Sequence, residues 1–146
     1  MSKTTEYILK PSEEDAIIEA IKKAELKTSG EIRIHIEKKA NGDAYKRALE
    51  VFHLLKMNQT QLRNGVLIYL AVEDKTFAIC GDKGINDVVP DDFWDTTKNL
   101  METHFKSGRF KEGLIAGIDK SGEQLATYFP WQKDDENELP NTISKG

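Results

Sequence analysis

Cysteine is almost absent. Cys80 is the single thiol in 146 residues, which excludes an intrachain disulfide framework. Without a CxxC pair, neither a zinc ribbon nor a thioredoxin-type redox site can be built. Long apolar runs are missing as well: the longest, residues 65–72, falls far short of the ~20 residues that cross a bilayer. The opening Met1-Ser2-Lys3-Thr4-Thr5-Glu6 has none of the apolar stretch of a secretory signal, so the expectation is a cytoplasmic protein with no membrane association. Positive charge is not in excess either. The 21 Lys and Arg stand against 25 Asp and Glu, a net charge of −4, and no basic run exceeds a pair, which leaves no electrostatic footprint for nucleic acid. Such a surface suits divalent cations or basic partners.

The common catalytic signatures are missing too. His35, His53 and His104 stand alone, without HxH or HExxH spacing. There is no GxSxG elbow for a serine hydrolase. Gly81 and Gly84 form neither GxGxxG nor a Walker pattern. A cysteine-phosphatase loop starting at Cys80 would need Arg six residues on, where Asn86 stands. Cys80 itself reads as a small buried hydrophobe.

What the chain does have is enough apolar content, 38%, for one domain of this length to bury about 68–70% of its unfolded surface. Ser12-Glu13-Glu14-Asp15 reads as an N-cap followed by first-turn acids, and Ile17, Ile18, Ile21 and Ala24 follow at helical spacing. That helix is expected to end near Ser29-Gly30. Residues 31–37 alternate strictly, β-branched against charged or polar, as a half-buried strand does. Asp43 can cap a second helix that aligns Ala44, Ala48, Val51, Phe52 and Leu55. Residues 66–72 read as a strand covered on both faces. Glu73-Asp74-Lys75 then turns the chain into a hairpin strand ending at Cys80. A third helix is expected from Asp91-Asp92 to a Gly108 stop, and a fourth over residues 109–128, where Gly113 and Gly117 would allow close helix approach. Acidic, apolar-poor residues 131–146 read as a flexible tail behind a domain of residues 1–130.

One strand-helix-strand crossover makes the first two strands parallel, and the hairpin adds an antiparallel third. The expected fold class is therefore α/β, a three-layer α/β/α sandwich on a small mixed sheet. In that topology the end of the third strand, Gly81-Asp82, lies beside the start of the first, Glu31. The loop beyond carries Asp87, Asp91 and Asp92, so Glu31, Asp82, Asp87, Asp91 and Asp92 form the expected carboxylate rim. Ca²⁺ takes six to eight oxygen ligands from such groups. The plainer alternatives stay open: a helix N-cap for Asp91 or Asp92, turn roles for Asp82 and Asp87, and a solvated charge for Glu31.

Three ordered blocks resemble the TPM domain family: Thr28-Ser29-Gly30-Glu31-Ile32-Arg33-Ile34, Arg63-Asn64-Gly65-Val66-Leu67-Ile68-Tyr69-Leu70 and Ile79-Cys80-Gly81-Asp82-Lys83-Gly84-Ile85. Gly108-Arg109-Phe110 through Gly113-Leu114 and Gly117-Ile118 resembles its Gly-rich last helix. The resemblance spans about residues 8–130 and implies an α/β/α sandwich and, as in several members, calcium at the acidic rim, with Mg²⁺ as competitor. The family includes a plant thylakoid protein described as an acid phosphatase and a nematode receptor modulator. Two functions follow as expectations. The first is a monomeric calcium-binding regulatory or interaction module that engages an unidentified protein partner. The second is a metal-assisted acid phosphatase acting on phosphate monoesters, for which Arg33, Arg63 and Lys83 are the nearby anion contacts.

Overall fold

The computed structural model describes residues 9–132 and 138–146. Helix α1 (Pro11–Ala24) opens two residues earlier than a Ser12 cap would place it, with Pro11 at its first position and the Glu13 side chain accepting from the Lys10 N–H at 2.9 Å. It buries Ile17, Ala20, Ile21 and Ala24. Strand β1 (Glu31–Glu37) follows, then α2 (Ala44–Leu54), whose N-cap Asp43 accepts from the Lys46 N–H at 2.9 Å. A single 3-10 turn, Met57–Gln59, leads into β2 (Gly65–Ala71), which is buried along its whole length as a strand covered on both faces must be. Strand β3 (Thr76–Gly81) returns antiparallel, and the one-turn helix α3 (Lys83–Asn86) follows. The chain closes with α4 (Asp95–Lys106), α5 (Phe110–Tyr128) and a short β4 (Ser144–Lys145).

The sheet order is β3-β2-β1-β4, with β1 parallel to β2 and to β4, and β2 antiparallel to β3. Strand alternation splits the core in two. Ile32, Ile34, Ile36, Val66, Ile68 and Leu70 face α1, α4 and α5; Leu67, Tyr69, Ala71, Ala78 and Cys80 face α2. This is the expected three-layer arrangement. The last helix packs closely because its glycines leave room: a Cβ at Gly117 would come within 2.5 Å of the Met101 sulfur, and one at Gly113 within 2.4 Å of the Phe105 ring. No described helix is long and apolar enough to cross a membrane.

Three expectations are corrected. Helix α4 starts at Asp95, not Asp91, because Phe93 is drawn into the core and residues 91–94 form a turn, with the Phe93 N–H on the Pro90 carbonyl at 3.0 Å. Strand β1 is covered on both faces rather than half-buried: Glu31, His35 and Glu37 are each at most 5% exposed. The third concerns the segment read as a flexible tail over residues 131–146. Its residues 138–146 are held on the domain, and residues 133–137, like residues 1–8, lie outside the described residues. Ser144 and Lys145 pair with His35 and Ile36, the Gly146 N–H reaches the Ile36 carbonyl at 3.0 Å, and the Lys145 ammonium meets Glu14 at 2.8 Å. Leu139 packs into the α2-side core and Ile143 against the other. Two apolar anchors in a polar stretch vanish in an averaged composition but suffice to dock it. Replacing Leu139 by Ala is expected to cost ~2 kcal/mol, the low end for a buried leucine, read as a lower midpoint in urea denaturation.

Candidate functional site

Parallel pairing sets Glu31 beside Gly65, and the Asp82 N–H bonds to the Gly65 carbonyl at 2.9 Å. The backbone therefore brings the start of β1 and the end of β3 to one rim, as the topology requires. The side chains part company there. Asp82 caps α3, is 5% exposed, and accepts from Arg63 Nε at 2.7 Å, Arg63 Nη2 at 2.9 Å and the Lys83 N–H at 2.7 Å. Asp87 closes α3 and pairs with the Lys83 ammonium at 2.7 Å. Asp91 and Asp92 are exposed in the turn before α4. Glu31 turns to the C-terminal segment, accepting from the Leu139 N–H at 2.6 Å. Thus the five expected ligands do not gather around one point; among the described residues no group of three or more His, Cys, Asp or Glu side chains is arranged to hold a metal.

Around Glu31 the structure instead assembles carboxyls that local sequence signals did not mark. Glu25, in the turn after α1, accepts from the Ile32 N–H at 3.0 Å. Glu138 accepts from the Gln61 N–H at 3.1 Å and hydrogen-bonds to the Glu31 side chain. Burial is the main reason the Glu31 carboxyl is pushed up to about 7; the Leu139 N–H pulls the other way, and the Glu138 and Glu25 charges add to the rise. Burial likewise lifts Glu25 to about 7 against the pull of the Ile32 N–H. Glu138 was hidden in the stretch read as tail, where the neighbouring Leu139 was the available signal.

At the other end of β1, on the same face, lies a second polar cluster that sequence reading passed over as isolated residues. Glu37 receives Arg47 Nε at 2.8 Å, Arg47 Nη2 at 3.0 Å, the Tyr69 hydroxyl, and His35 Nε2 at 3.1 Å. Burial alone would raise this carboxyl, but those donors outweigh it and hold it down at about 2. A carboxylate only accepts, so His35 carries its proton on Nε2, and Nδ1 accepts from the Ser144 hydroxyl at 2.9 Å. Burial lowers the His35 pKa, with Glu37 opposing, which favours this neutral tautomer. The anion contacts expected for phosphate are disposed otherwise: Arg63 and Lys83 are engaged by Asp82 and Asp87, and the buried Arg33 Nε makes no hydrogen bond among the described residues.

With the geometry in place, similarity identifies the class. A TPM domain family model matches residues 3–124. The chain belongs to the TPM domain family. Its structure is similar to the NMR structure of the BA42 protein from the psychrophilic bacterium Bizionia argentinensis, with 64% identity and a TM-score of 0.90, covering 94% of this chain and 95% of that one. It shares its fold with the N-terminal domain of a P. gingivalis protein, with 17% identity and a TM-score of 0.69 over 84% of this chain and 79% of the other. The N-terminal domain of the Corynebacterium glutamicum cg2496 protein gives 13% identity and a TM-score of 0.64 over 94% and 81%. No curated protein matches.

The two clusters pull stability in opposite directions with pH. Glu25 and Glu31 titrate near 4.5 when unfolded and near 7 when folded. Their stabilising contribution is thus whole below 4.5 and fades as pH rises through 7. Glu37, at about 2 when folded, contributes fully above 4.5 and loses that contribution as pH falls towards 2. Thermal melts across acid and neutral pH should peak near 4.5, and Glu25→Gln with Glu31→Gln should flatten the decline above it. Glu37→Gln, which strips Arg47 of its buried counter-charge, is expected to cost about 3 kcal/mol in urea denaturation at neutral pH.

Proposed function

We propose that this TPM domain is a divalent-cation-binding interaction module whose ion is taken by Glu31 and Glu138, where the C-terminal segment docks on the start of β1. One observation carries the reading: the two side chains are hydrogen-bonded to each other, with the Glu25 charge close enough to act on Glu31. The Glu31 carboxyl, pushed up to about 7, keeps its proton near neutrality, and a divalent cation is what displaces it. The donor set fits a hard cation, since carboxylate oxygens can be completed by main-chain carbonyls and water. Ca²⁺ suits it better than Mg²⁺, which demands near-octahedral geometry and sheds water reluctantly. Asp82 and Asp87 are left out because each already answers a cation of the chain, and exposed Asp91 and Asp92 are not needed.

Binding here would tie Glu138 and the segment behind it to Glu31, so metal would act on the surface that this segment forms with β1. The phosphatase alternative ranks behind. It needs an activated nucleophile and a phosphate cradle beside the metal. Yet burial pushes the Cys80 thiol up to about 11, and Arg63 and Lys83 are occupied.

Amide NMR titration with Ca²⁺ and then Mg²⁺ tests the proposal. Saturable shifts are expected around Glu31, Glu138 and Leu139, weaker with Mg²⁺, abolished in Glu31→Gln and retained in Asp82→Asn. Shifts lost in Asp82→Asn but kept in Glu31→Gln would return the ion to the Asp82 rim. No saturable shifts at all would end the metal reading.

A further inference from the structure

A cavity of about 510 Å³ opens at the far end of β2 from Glu31, beneath the β2–β3 hairpin and against the α4–α5 corner. That size falls within the range of small-molecule sites. Its walls are apolar, formed by Leu70, Phe77, Phe105 and Phe110, and its charged lining residues are Lys75, Glu102 and Lys106. The Phe77 and Phe105 rings meet edge to face at 5.1 Å, and Phe105 and Phe110 lie 6.0 Å apart and tilted. All three rings are only partly buried, although they pack on the core.

Two features shape this space. Gly113 lets the Phe105 ring lie close against α5, for a Cβ there would come within 2.4 Å of it. Any larger residue would push the ring away from the helix. Lys75 occupies the left-handed position of the hairpin turn, with φ +56°, which glycine or asparagine adopts with less strain. What lysine adds is an exposed ammonium on the cavity. Glu102 pairs with Lys106 at 3.8 Å, whereas Lys75 has no carboxylate partner among the described residues. The charge left over is positive.

We propose that this cavity binds a medium-chain carboxylic acid in its anionic form, with the hydrocarbon chain among Phe77, Phe105 and Phe110 and the carboxylate on Lys75. Apolar walls favour the chain without specifying it, and Lys75, the lining lysine with no carboxylate partner among the described residues, fixes which end faces out. A fully apolar guest would make no use of that charge, and inorganic phosphate would gain nothing from the rings. The site lies at the opposite end of β2 from Glu31 and on the opposite face of the sheet from Glu37, and does not depend on the metal reading.

Decanoate and decanol, each below its aggregation limit, are the probes, followed by amide NMR on the full chain. Saturable shifts at Leu70, Phe77, Phe105, Gly108 and Phe110 are expected, with decanoate about tenfold tighter than decanol, the effect of one charge-assisted hydrogen bond at an open site. Lys75→Met should erase that difference and leave decanol binding unchanged. Gly113→Ala should weaken both by driving Phe105 into the cavity, and should it fail to fold, Phe110→Trp fills the same space from a half-exposed position. Equal affinities in the unaltered protein, shifts elsewhere, or indifference to Lys75→Met would overturn the proposal. So would binding to phosphatidylglycerol vesicles with no response to monomeric decanoate, which would make this face a membrane contact.

Discussion

The Glu37 carboxylate is 4% exposed on β1, and the need to keep a charge satisfied there constrains the pieces around it. Leaving such a group uncompensated would cost several kcal/mol. Its partners come from separate elements: Arg47 from α2, Tyr69 from β2, and His35 from β1 itself, which in turn holds Ser144 of β4. The ring of His35 also stacks on that of Tyr69 at 5.9 Å. One carboxylate thus fixes the α2 layer against the sheet and the register of the edge strand.

The same face of the same strand carries the opposite case. Glu31 and Glu37 are six residues apart, point to one side of the sheet and are buried to nearly the same degree. Burial disfavours the charge of both. Glu37 is offset by a guanidinium, a phenol and an imidazole and stays ionised down to about 2; Glu31, raised chiefly by burial and further by the Glu138 and Glu25 carboxyls, holds its proton up to about 7. Partner identity, not depth, separates them. The C-terminal segment touches both, through Ser144 at His35 and through Glu138 and Leu139 at Glu31. Its attachment is held by strand pairing, hydrogen bonds and the Lys145–Glu14 ion pair at one end and is sensitive to the Glu31 proton at the other.

Much of the architecture was legible. The alternation of residues 31–37, the unbroken apolar run from Val66, the Asp43 cap and the small residues at 113 and 117 each report a local requirement, and each appears in the structure as a strand, a buried strand, a capped helix and a close helix contact. The rim was legible only as backbone. Strand order could place Glu31 and Asp82 at one edge, but it could not tell that Arg63 would take Asp82, or that Glu31 would meet Glu138 from a stretch 107 residues downstream, a contact set by tertiary packing. A polar strand face looks solvent-facing until something covers it. Here α2 and β4 do so, and His35, Arg47, Tyr69 and Ser144 become partners only through contacts as distant as 109 residues in sequence.

By itself, then, the sequence determined the four longer helices and the first three strands, their order, the parallel crossover and the family blocks, because those depend on residues within a few positions of one another and on the periodicity of helix and strand. Tertiary structure alone decided which carboxylates face cations and which face each other, where the C-terminal residues dock, and that three phenylalanines and a lysine enclose a cavity. Those outcomes turn on side-chain direction and on charge–charge distances across elements. A change of one or two ångströms there alters the strength of a charge–charge contact while leaving every local pattern untouched.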